Sequence, residues 1–462
     1  MTFDLKGKKV LIMGLGLHGG GVGTVLFFTA QKADVTITDL RTQEELRLSL
    51  DKLKHLSHVH YVLGRHRTSD FLHADLIVKN PGVAPSSPYL LLARKKNIPI
   101  TTDMGIFLRA CPASIIGITG TRGKSTTAYL IARFLEALFR SRKKDASRKV
   151  FLGGNIRTSV FDFIDTATKN DVIVLELSSF QLDDIAHDSW HIDSDEWRSP
   201  HIAVLTNIMR DHLNWHGSMA HYISAKSIIF RFQSSHDVLF ANNSDLEVKK
   251  MSSRAKSHVV FPHLPAQFKS LVDRNLGAHY RTSSSLAIDV ARHFGASLPL
   301  LKSVLTAVHG LPGRQEIIAT IRGITVVNDT TATIPEASIA AIMRFRDRAQ
   351  KNNLILIAGG SNKNLLFADM ARAIKKYVDR CILLPGTATE KLVKKLNTKN
   401  RGNKTLTIGY APSMQQAVTM AFESAKKGDV LVLSPGAASF GLFANEFDRG
   451  DAFIKAIQTH RY

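Results

Sequence analysis

The sequence predicts an α/β protein of three domains, and three observations support this fold class. The chain has 462 residues, which is too long for one ordinary core, and a globular composition that is 44% hydrophobic and 22% charged. Short apolar runs alternate with helical patterns along it, as they do around parallel sheets. Glycine-rich turns directly follow several of these runs, which places ligand-binding loops at the carboxyl ends of strands.

The predicted domains are a Rossmann-like N-terminal domain, a central P-loop ATPase-like parallel sheet and a C-terminal Rossmann-like domain, at residues 1–102, 103–311 and 312–462. The first domain opens with a strand, Lys9 to Met13, and the turn Gly14-Leu15-Gly16. A second strand ends at Asp39, and a glycine turn with an acidic residue at this distance is typical of a Rossmann-like βαβ unit.

Two kinds of ligand are compatible with the motifs of this first domain. Taken alone, the glycine pattern is a weak signal that usually suggests NAD. Arg41 and the turn Asn80-Pro81-Gly82, each just beyond an apolar run, equally suit a different diphosphate nucleotide.

The central domain carries the motif around which the chain is organised, Gly120-Thr121-Arg122-Gly123-Lys124-Ser125-Thr126. It joins a buried strand, Ile115 to Ile118, to an amphipathic helix, so backbone N–H groups at the helix start can bind an anion. Lys124 adds a charge for the terminal phosphates, and the Ser125 or Thr126 hydroxyl suits Mg²⁺. Gly117 lies six residues before Gly123 rather than the usual five, and the alternative is a glycine-rich turn with an incidental lysine. We predict an ATP site.

Two further strands of this domain end in groups that suit a metal ion. Glu176 closes a fully apolar run, where a Mg²⁺ ligand belongs beside a P-loop, although it could instead cap a helix. His212, beside Asp211, is a metal ligand or a core histidine, and its place after a strand on the same sheet edge favours the ligand. Lys226, on its own, is predicted to be a surface lysine. The segment 183–200 is predicted to be a surface loop, without a metal site at its histidines.

The third domain is predicted to be a second doubly wound α/β unit, because its apolar runs again alternate with helical patterns. These runs are Ile324 to Asn328, Leu354 to Ala358, Cys381 to Leu384 and Val430 to Ser434.

Composition narrows the cellular setting and the partners. Two distant cysteines, no visible signal peptide and no apolar run of about 18 residues favour the cytoplasm and no membrane partner. The formal charge of +22 favours anionic substrates. The basic residues are scattered, and their densest cluster, residues 140–149, lacks interleaved aromatic residues, so nucleic acid is not an expected partner.

With these motifs laid out, the chain resembles the Mur ligases throughout its length, and within them the branch that adds D-glutamate. The stretches that carry the resemblance are Thr119 to Thr126, Glu176 to Leu182, Asp211-His212, Leu311 to Arg314, Asn328 to Thr330 and Ser434 to Phe440. The string Ser178-Ser179-Phe180-Gln181 and the last stretch are specific to that branch, whereas the glycine loop indicates only the superfamily.

The resemblance implies a cytoplasmic ligase of peptidoglycan synthesis, acting as a monomer. ATP would phosphorylate the carboxylate of UDP-N-acetylmuramoyl-L-alanine to an acyl phosphate, and the amine of D-glutamate would displace the phosphate. Such a reaction needs positioning and charge neutralisation more than covalent help.

The resemblance also implies roles for individual residues. The nucleotide would be held by Gly120, Thr121, Gly123, Lys124, Ser125, Thr126, Arg314 and Asp329. Two Mg²⁺ ions would be bound by Ser125, Glu176, His212 and a carbamate on Lys226, and the catalytic groups would be Lys124, Asn155, His212 and Lys226. The substrates would contact Gly14, Leu15, Asp39, Arg41, Asn80, Gly82, Ser178, Gln181, Thr333, Lys363 and Ser439.

Several positions depart from the family pattern without removing a core catalytic group. Arg122 replaces the usual asparagine, and Thr331 replaces the usual lysine. Tyr280 and Ser283 replace two asparagines near the expected adenine site. Where the family has Asn-Phe-Glu, this chain has Asn445-Glu446-Phe447. The competing readings are a related ligase with another amino acid, a folylpolyglutamate synthase-like enzyme, and a NAD-binding regulatory protein with a degenerate P-loop.

Overall fold

The computed structural model describes residues 5–17, 19–155, 159–190, 199–308, 311–349, 352–362, 365–397 and 406–460. These residues form three sheets flanked by helices, which confirms the predicted α/β fold class. By compactness the chain divides into two units: residues 1–274 with 278–305, and residues 275–277 with 306–462. The first unit contains two of the sheets and the second contains the third.

The first sheet is entirely parallel, with strand order β3-β2-β1-β4-β5. Its strands are Lys9–Met13 (β1), Asp34–Asp39 (β2), His60–Leu63 (β3), Leu76–Lys79 (β4) and Ile100–Thr101 (β5). Its helices are Gly20–Ala30 (α1), Arg47–Asp51 (α2), Thr68–Leu72 (α3), Pro88–Lys95 (α4) and Asp103–Ala110 (α5). The order places the β1 and β4 turns side by side, since these strands are neighbours whose chain connections run in opposite directions.

The central sheet is also parallel, with strand order β11-β10-β9-β6-β8-β7. Its strands are Ser114–Thr119 (β6), Val150–Gly154 (β7), Val172–Glu176 (β8), Ile202–Leu205 (β9), Val238–Ala241 (β10) and His258–Val260 (β11). The helices that follow are Lys124–Ser141 (α6), Ser179–Ala186 (α7), Leu213–His216 (α8), Met219–Arg231 (α9), Leu246–Ser252 (α10), Ala266–Asn275 (α11), Arg281–His293 (α12) and Leu298–Ala307 (α13).

The third sheet has strand order β12-β13-β17-β14-β15-β16, with only the edge strand β12 antiparallel to its neighbour. Its strands are Glu316–Ile321 (β12), Ile324–Asn328 (β13), Leu354–Gly359 (β14), Arg380–Leu384 (β15), Thr407–Tyr410 (β16) and Val430–Leu433 (β17). Its helices are Pro335–Ala349 (α14), Ala368–Tyr377 (α15), Thr387–Leu396 (α16), Met414–Ser424 (α17) and Glu446–Gln458 (α18).

Register in the central sheet brings the predicted motifs together. Ile118 of β6 pairs with Glu176 of β8 on one side and with Val204 of β9 on the other. The turns after these three strands therefore emerge at one edge of the sheet. The strands are buried on both faces, as is expected of a parallel sheet covered by helices.

The structure corrects two sequence-based predictions. Residues 183–186 belong to α7 rather than to a surface loop, and Asp183 and Asp184 are buried; residues 191–198 lie outside the described part of the chain. Lys226 is not a surface residue, because its side chain is only 2% exposed. In both cases a polar side chain finds buried partners that sequence alone does not reveal. Among the described residues, no helix is long and apolar enough to cross a membrane.

Candidate active site

The loop between β6 and α6 has the backbone geometry of an anion-binding turn. Gly120 and Gly123 both have positive φ, at 143° and 81°. A side chain at Gly120 would also collide with the Thr206 hydroxyl, 1.9 Å from the Cβ position. The loop therefore needs glycine at these points, and it leads directly into the N-terminus of α6, the end of a helix that attracts anions.

Residues after β9 and on α9 hold this loop in place. The Thr121 N–H donates to the Asn207 carbonyl at 2.8 Å, and the Thr121 hydroxyl lies 2.9 Å from the Tyr222 hydroxyl. The Arg122 N–H donates to Asn207 Oδ1, while the Arg122 carbonyl accepts from the Thr206 hydroxyl. Because its backbone is fixed on both sides, the loop is preorganised for a ligand.

Two lysines converge on the same loop. Lys124 Nζ donates to the carbonyls of Gly120 and Thr121 at 3.1 and 3.0 Å. Lys226 Nζ, reaching in from α9, donates to the same Gly120 carbonyl at 2.8 Å and to the Thr119 hydroxyl at 3.3 Å. Burial, and after it the charge of Lys124, holds the pKa of Lys226 well below its ordinary value.

Glu176 lies at the end of β8 with one carboxylate oxygen engaged and the other free. Oε1 accepts from Asn155 Nδ2 at 3.1 Å, and the Asn155 N–H donates to the Glu176 carbonyl at 2.8 Å. Oε2 is buried and has no hydrogen-bond partner. A buried carboxylate oxygen without a hydrogen-bond donor destabilises the folded state. This atom is therefore a candidate ligand for a metal ion, which would remove that cost. The helix-capping alternative is wrong, because Ser178 is the N-cap of α7.

His212 lies beyond β9 in a strained turn. It has a left-handed backbone (φ 51°), its side chain is 46% exposed, and its Nε2 is 3.7 Å from Asp211. Burial, which Asp211 opposes and the neighbouring side chains of Lys226, Lys124 and Arg122 reinforce, lowers the pKa of His212. A neutral imidazole near the loop is suited to bind a metal ion, and the exposed position rules out the core-histidine reading.

Ser178 and Gln181 form a capping box at the start of α7. The Gln181 N–H donates to the Ser178 hydroxyl, and the Ser178 N–H donates to Gln181 Oε1 at 3.0 Å. This reciprocal pair explains why the string folds as a helix start directly after Glu176. It holds both predicted substrate residues at the same sheet edge as the loop.

In the first sheet, Asp39 organises the glycine turn. Its Oδ2 accepts from the Leu15 N–H at 3.0 Å and from the Gly16 N–H at 3.2 Å, while Oδ1 accepts from the Arg41 N–H at 2.9 Å. The carboxylate is buried and joins the loops after β1 and β2. Gly14 has φ 96° and packs against the loop after β4, since a Cβ added to Gly14 would lie 2.9 Å from the Asn80 Cβ.

The turn after β4 completes this pocket. Asn80 Oδ1 accepts from the Gly82 N–H at 3.0 Å, which closes a tight turn. A small pocket lies beside it, lined by Ile12, Gly14, Gly20, Gly21, Thr24, Val78, Lys79, Asn80, Pro81 and Asp103. The structure thus brings Gly14, Asn80 and a buried lysine together at the edge of one sheet.

The third sheet holds its own group of predicted residues. Asp329, directly after β13, is buried and accepts from the Ser434 hydroxyl at 2.6 Å and the Gln315 N–H at 3.0 Å. Burial raises its pKa to about 7. Arg314 pairs with Leu311 in an isolated β-bridge just before β12. Its positive charge favours the ionised Asp329 carboxyl and so partly opposes the effect of burial on that pKa.

The predicted amino-acid-binding residues lie at turns of the same unit. Thr333 follows β13, and buried Ser439 follows β17 beside the bridge between Ser361 and Ala438. Lys363 lies outside the described residues. Thr331, at the position where the family has a lysine, donates its hydroxyl to the Gly313 carbonyl at 2.9 Å.

Sequence reasoning missed several residues that build the site. Tyr222, Thr206 and Asn207 hold the loop, and their only signal was proximity to strand and helix ends. Ser283, which the family resemblance had already indicated near the adenine site, lies against the loop, because a Cβ at Gly123 would come within 2.8 Å of its hydroxyl. Lys79 is buried and donates to Asp184 at 2.5 Å, a pairing of residues 105 positions apart that no local pattern could indicate.

A glycine loop at a helix start beside a buried carboxylate, on a parallel sheet covered by helices, is typical of enzymes that bind nucleotides. Comparison with known families makes the assignment particular. The chain matches the Mur ligase MurD-like N-terminal domain over residues 8–102, the Mur ligase middle domain over 118–301 and the Mur ligase glutamate ligase domain over 313–436. It therefore belongs to the Mur ligase family.

Relatives of similar length agree with the family match. A Roseiflexus protein named UDP-N-acetylmuramoylalanine–D-glutamate ligase is 36% identical, over 99% of each chain. A Borreliella afzelii protein of the same name is 33% identical over 98% of each. The fold is shared with UDP-N-acetylmuramate-alanine ligase MurC from Thermotoga maritima, at a TM-score of 0.58, 17% identity and 98% and 99% coverage of this chain and that one.

Proposed function

We propose that this chain is the ATP-dependent ligase that joins D-glutamate to UDP-N-acetylmuramoyl-L-alanine, a cytoplasmic step of peptidoglycan synthesis. The observation that carries the proposal is the group formed by the glycine loop, Lys124, the free oxygen of Glu176 and buried Lys226 at one sheet edge. Relatives that bear the name of this activity match the chain nearly end to end.

The reaction runs in two displacements. The alanyl carboxylate attacks the γ-phosphorus of ATP, the bond to the bridging oxygen breaks, and ADP leaves with that electron pair. The amine of D-glutamate then attacks the carbonyl carbon of the acyl phosphate, loses a proton, and expels inorganic phosphate. The chain's contribution is to align the reactants and neutralise charge, with loop N–H groups and Lys124 directed at the phosphates.

Glu176, His212 and Ser125 would hold Mg²⁺, which screens the phosphate charge when it is bound. The free Glu176 oxygen and the lowered pKa of His212 fit such a site. Lys226 joins them as a carbamate: its uncharged amine attacks carbon dioxide, an N–C bond forms, and one proton leaves to solvent. The product is an anionic ligand at a position where an ammonium beside Lys124 would be repelled.

Substrate binding is divided between sheets. The first sheet holds the uridine diphosphate group against Gly14, Leu15 and the Asn80 turn, with Arg41 as a cation at the pocket. Asp39 supports the loops from beneath, because both of its oxygens already accept N–H groups. In the C-terminal domain, Arg314 and Asp329 bind the nucleotide, and Thr333, Lys363 and Ser439 bind the glutamate carboxylates.

The test is to incubate the protein with UDP-N-acetylmuramoyl-L-alanine, ATP, Mg²⁺ and a panel of amino acids, and to identify the product by mass. We expect the D-glutamate adduct, and failure of D-alanine, because donors built for a carboxylate are left unpaired without one. Lys363→Ala should strongly raise the KM for D-glutamate. Preference for L-glutamate or a neutral amino acid would overturn the substrate assignment, and no adduct with any amino acid would overturn the ligase.

The carbamate is tested separately with Lys226→Ala. We expect this variant to be nearly inactive and to regain part of its activity when acetate supplies the missing carboxylate. Wild-type protein with acetate is the control and should be unaffected. A Lys226→Ala enzyme of near-normal rate without acetate would refute the role of this lysine.

A further inference from the structure

A second group of metal-binding residue types, which does not include Glu176, lies between α7 and the α8–α9 pair. Asp183, His216 and His221 each offer one ligand atom, and these atoms lie within 4.8 Å of one another. Asp183 and His216 are buried, whereas His221 is 49% exposed. The cluster therefore has two buried side chains and one that solvent can reach.

The hydrogen bonds of His221 fix which of its nitrogens carries a proton. Nδ1 lies 3.0 Å from the His216 carbonyl, which can only accept, so Nδ1 is the N–H donor. In the neutral ring, Nε2 then carries a lone pair, yet it faces Asp183 Oδ1 at 3.2 Å. Two acceptors at this distance need a positive charge between them, supplied either by a proton on Nε2 or by a metal ion.

The spacing suits a metal ion. Ligand atoms at the usual zinc distances in a tetrahedral site are roughly 3.3 Å apart, close to the 3.2 Å between Nε2 and Oδ1. A backbone carbonyl that accepts from the other nitrogen is also the usual outer partner of a metal-binding imidazole.

His216 supplies the independent observation. Its Nε2 lies 3.0 Å from the Ser179 hydroxyl, but its Nδ1 is buried with no hydrogen-bond partner. The Phe180 ring lies parallel to the imidazole at 5.6 Å, which restricts its rotation. Burial lowers the pKa of His216. An unpartnered buried imidazole nitrogen is costly unless something binds it.

We propose that Asp183, His216 and His221 form a binding site for a transition-metal cation of the Zn²⁺ type, separate from the Mg²⁺ site. Two imidazoles and a carboxylate are a ligand set for zinc, and water would take a fourth position on the exposed side of His221. His187 is not part of the set, since its Nδ1 faces the Asp183 backbone carbonyl at 2.7 Å.

The ion would join the two helices that carry the reactive residues. Asp183 lies on α7 two residues after Gln181, and His221 lies on α9 five residues before Lys226. A bound ion would resist separation of α7 from α9, so its effect would be on stability. This inference does not depend on the substrate assignment.

The experiment measures Zn²⁺ binding by calorimetry to the untagged full chain, in excess Mg²⁺ and at pH 8. We expect one equivalent to bind and to raise Tm. His221→Gln should weaken binding at least about tenfold and abolish the Tm shift. His201→Gln is the matched control, because His201 forms a similar pair with Asp237 at 2.6 Å and should bind as wild type.

Two results would overturn the site. One is a wild-type chain that takes up no Zn²⁺, which would mean that only a proton joins His221 to Asp183. The other is binding that His221→Gln and Asp183→Asn leave unchanged, which would place the ion elsewhere. Tm without zinc establishes that each variant is folded, and visible absorption of bound Co²⁺ reports whether the ligands are tetrahedral.

Discussion

At the scale of single residues, the hydrogen bonds of Lys124 hold its side chain against the glycine loop. Its ammonium donates to two loop carbonyls, which holds it against the loop that we propose to bind the phosphates. We expect Lys124→Ala to lower kcat by about 10²–10³-fold, which is typical for loss of one preorganised donor. Tm should change little, because no core is emptied.

The control for this change is Arg133→Ala on the same helix, where Arg133 pairs with Glu136 at the surface. That variant should retain full activity. A Lys124→Ala enzyme of near-normal rate would contradict the assignment of the loop.

Asp329 predicts a pH dependence of stability. Its carboxyl is favoured in the protonated form by burial, with a pKa of about 7 in the folded chain and about 4 when unfolded. The folded state therefore loses stability as pH rises from 4 to 7, and the loss is complete above 7. We expect Asp329→Asn to gain Tm relative to wild type over this range, with little difference at pH 4.

Thermal unfolding at a series of pH values measures this difference. Asp289→Asn, which changes a carboxyl paired with Arg292 near the surface, is the reference variant and should show no such trend. A Tm difference between Asp329→Asn and wild type that is constant with pH would show that Asp329 does not titrate as described.

At the scale of elements, the pair of Lys79 and Asp184 ties strand β4 to helix α7. Both side chains are almost fully buried, and their charged atoms are 2.5 Å apart. Removing one partner leaves a buried charge, so Lys79→Met should cost about 3–5 kcal/mol in the free energy of unfolding. The double variant Lys79→Met/Asp184→Leu should recover much of that loss.

Denaturant unfolding of the single and double variants tests the coupling. Arg67→Met serves for comparison, because Arg67 and Asp70 form a more exposed pair at the start of helix α3 that should contribute less than about 1 kcal/mol. Additive effects of the two buried substitutions would mean that the charges do not stabilise one another.

Elements were predictable where local signals agree. The apolar run from Ile115, the glycines and the apolar spacing beyond Lys124 predict a strand, a turn and a helix, and β6 and α6 confirm them. Local pattern alone predicts Lys226 and the Asp183-Asp184 pair wrongly as surface residues, and only the family resemblance indicated that Lys226 belongs to the site. Each of these side chains is polar and is buried against partners on other elements. For Lys226 and Asp184 those partners lie more than a hundred residues away in sequence, so the local pattern contains no sign of them.

The edge strand β12 illustrates a second reason. Its residues are half-exposed, so Glu316–Ile321 lacks the continuous apolar run of the central strands. Long-range pairing with β13 defines it, and pairing is not a property of either segment alone.

For the whole molecule, the charge of +22 predicts salt-dependent substrate capture. UDP-linked substrate, ATP and glutamate are all anions, so a positive field should raise their encounter rate. Added salt shortens the screening length from about 10 Å at 0.1 M to about 3 Å at 1 M. We expect kcat/KM for the UDP substrate to fall steeply with KCl, while kcat changes less.

An equal osmolality of sucrose separates charge screening from a general solvent effect and should leave kcat/KM nearly unchanged. A rate that is flat across the KCl series would mean that the charge is evenly spread and does not guide the substrate.

The position of β17 in the third sheet has a consequence for how the chain is made. This strand pairs with β13 on one side and β14 on the other, yet it is the last described strand in the chain. A nascent chain that stops before residue 430 therefore carries two separate half-sheets, each with an open edge that can pair with another chain. Ribosomes that stall late on this message should release aggregation-prone fragments, whereas the first two sheets can already have folded.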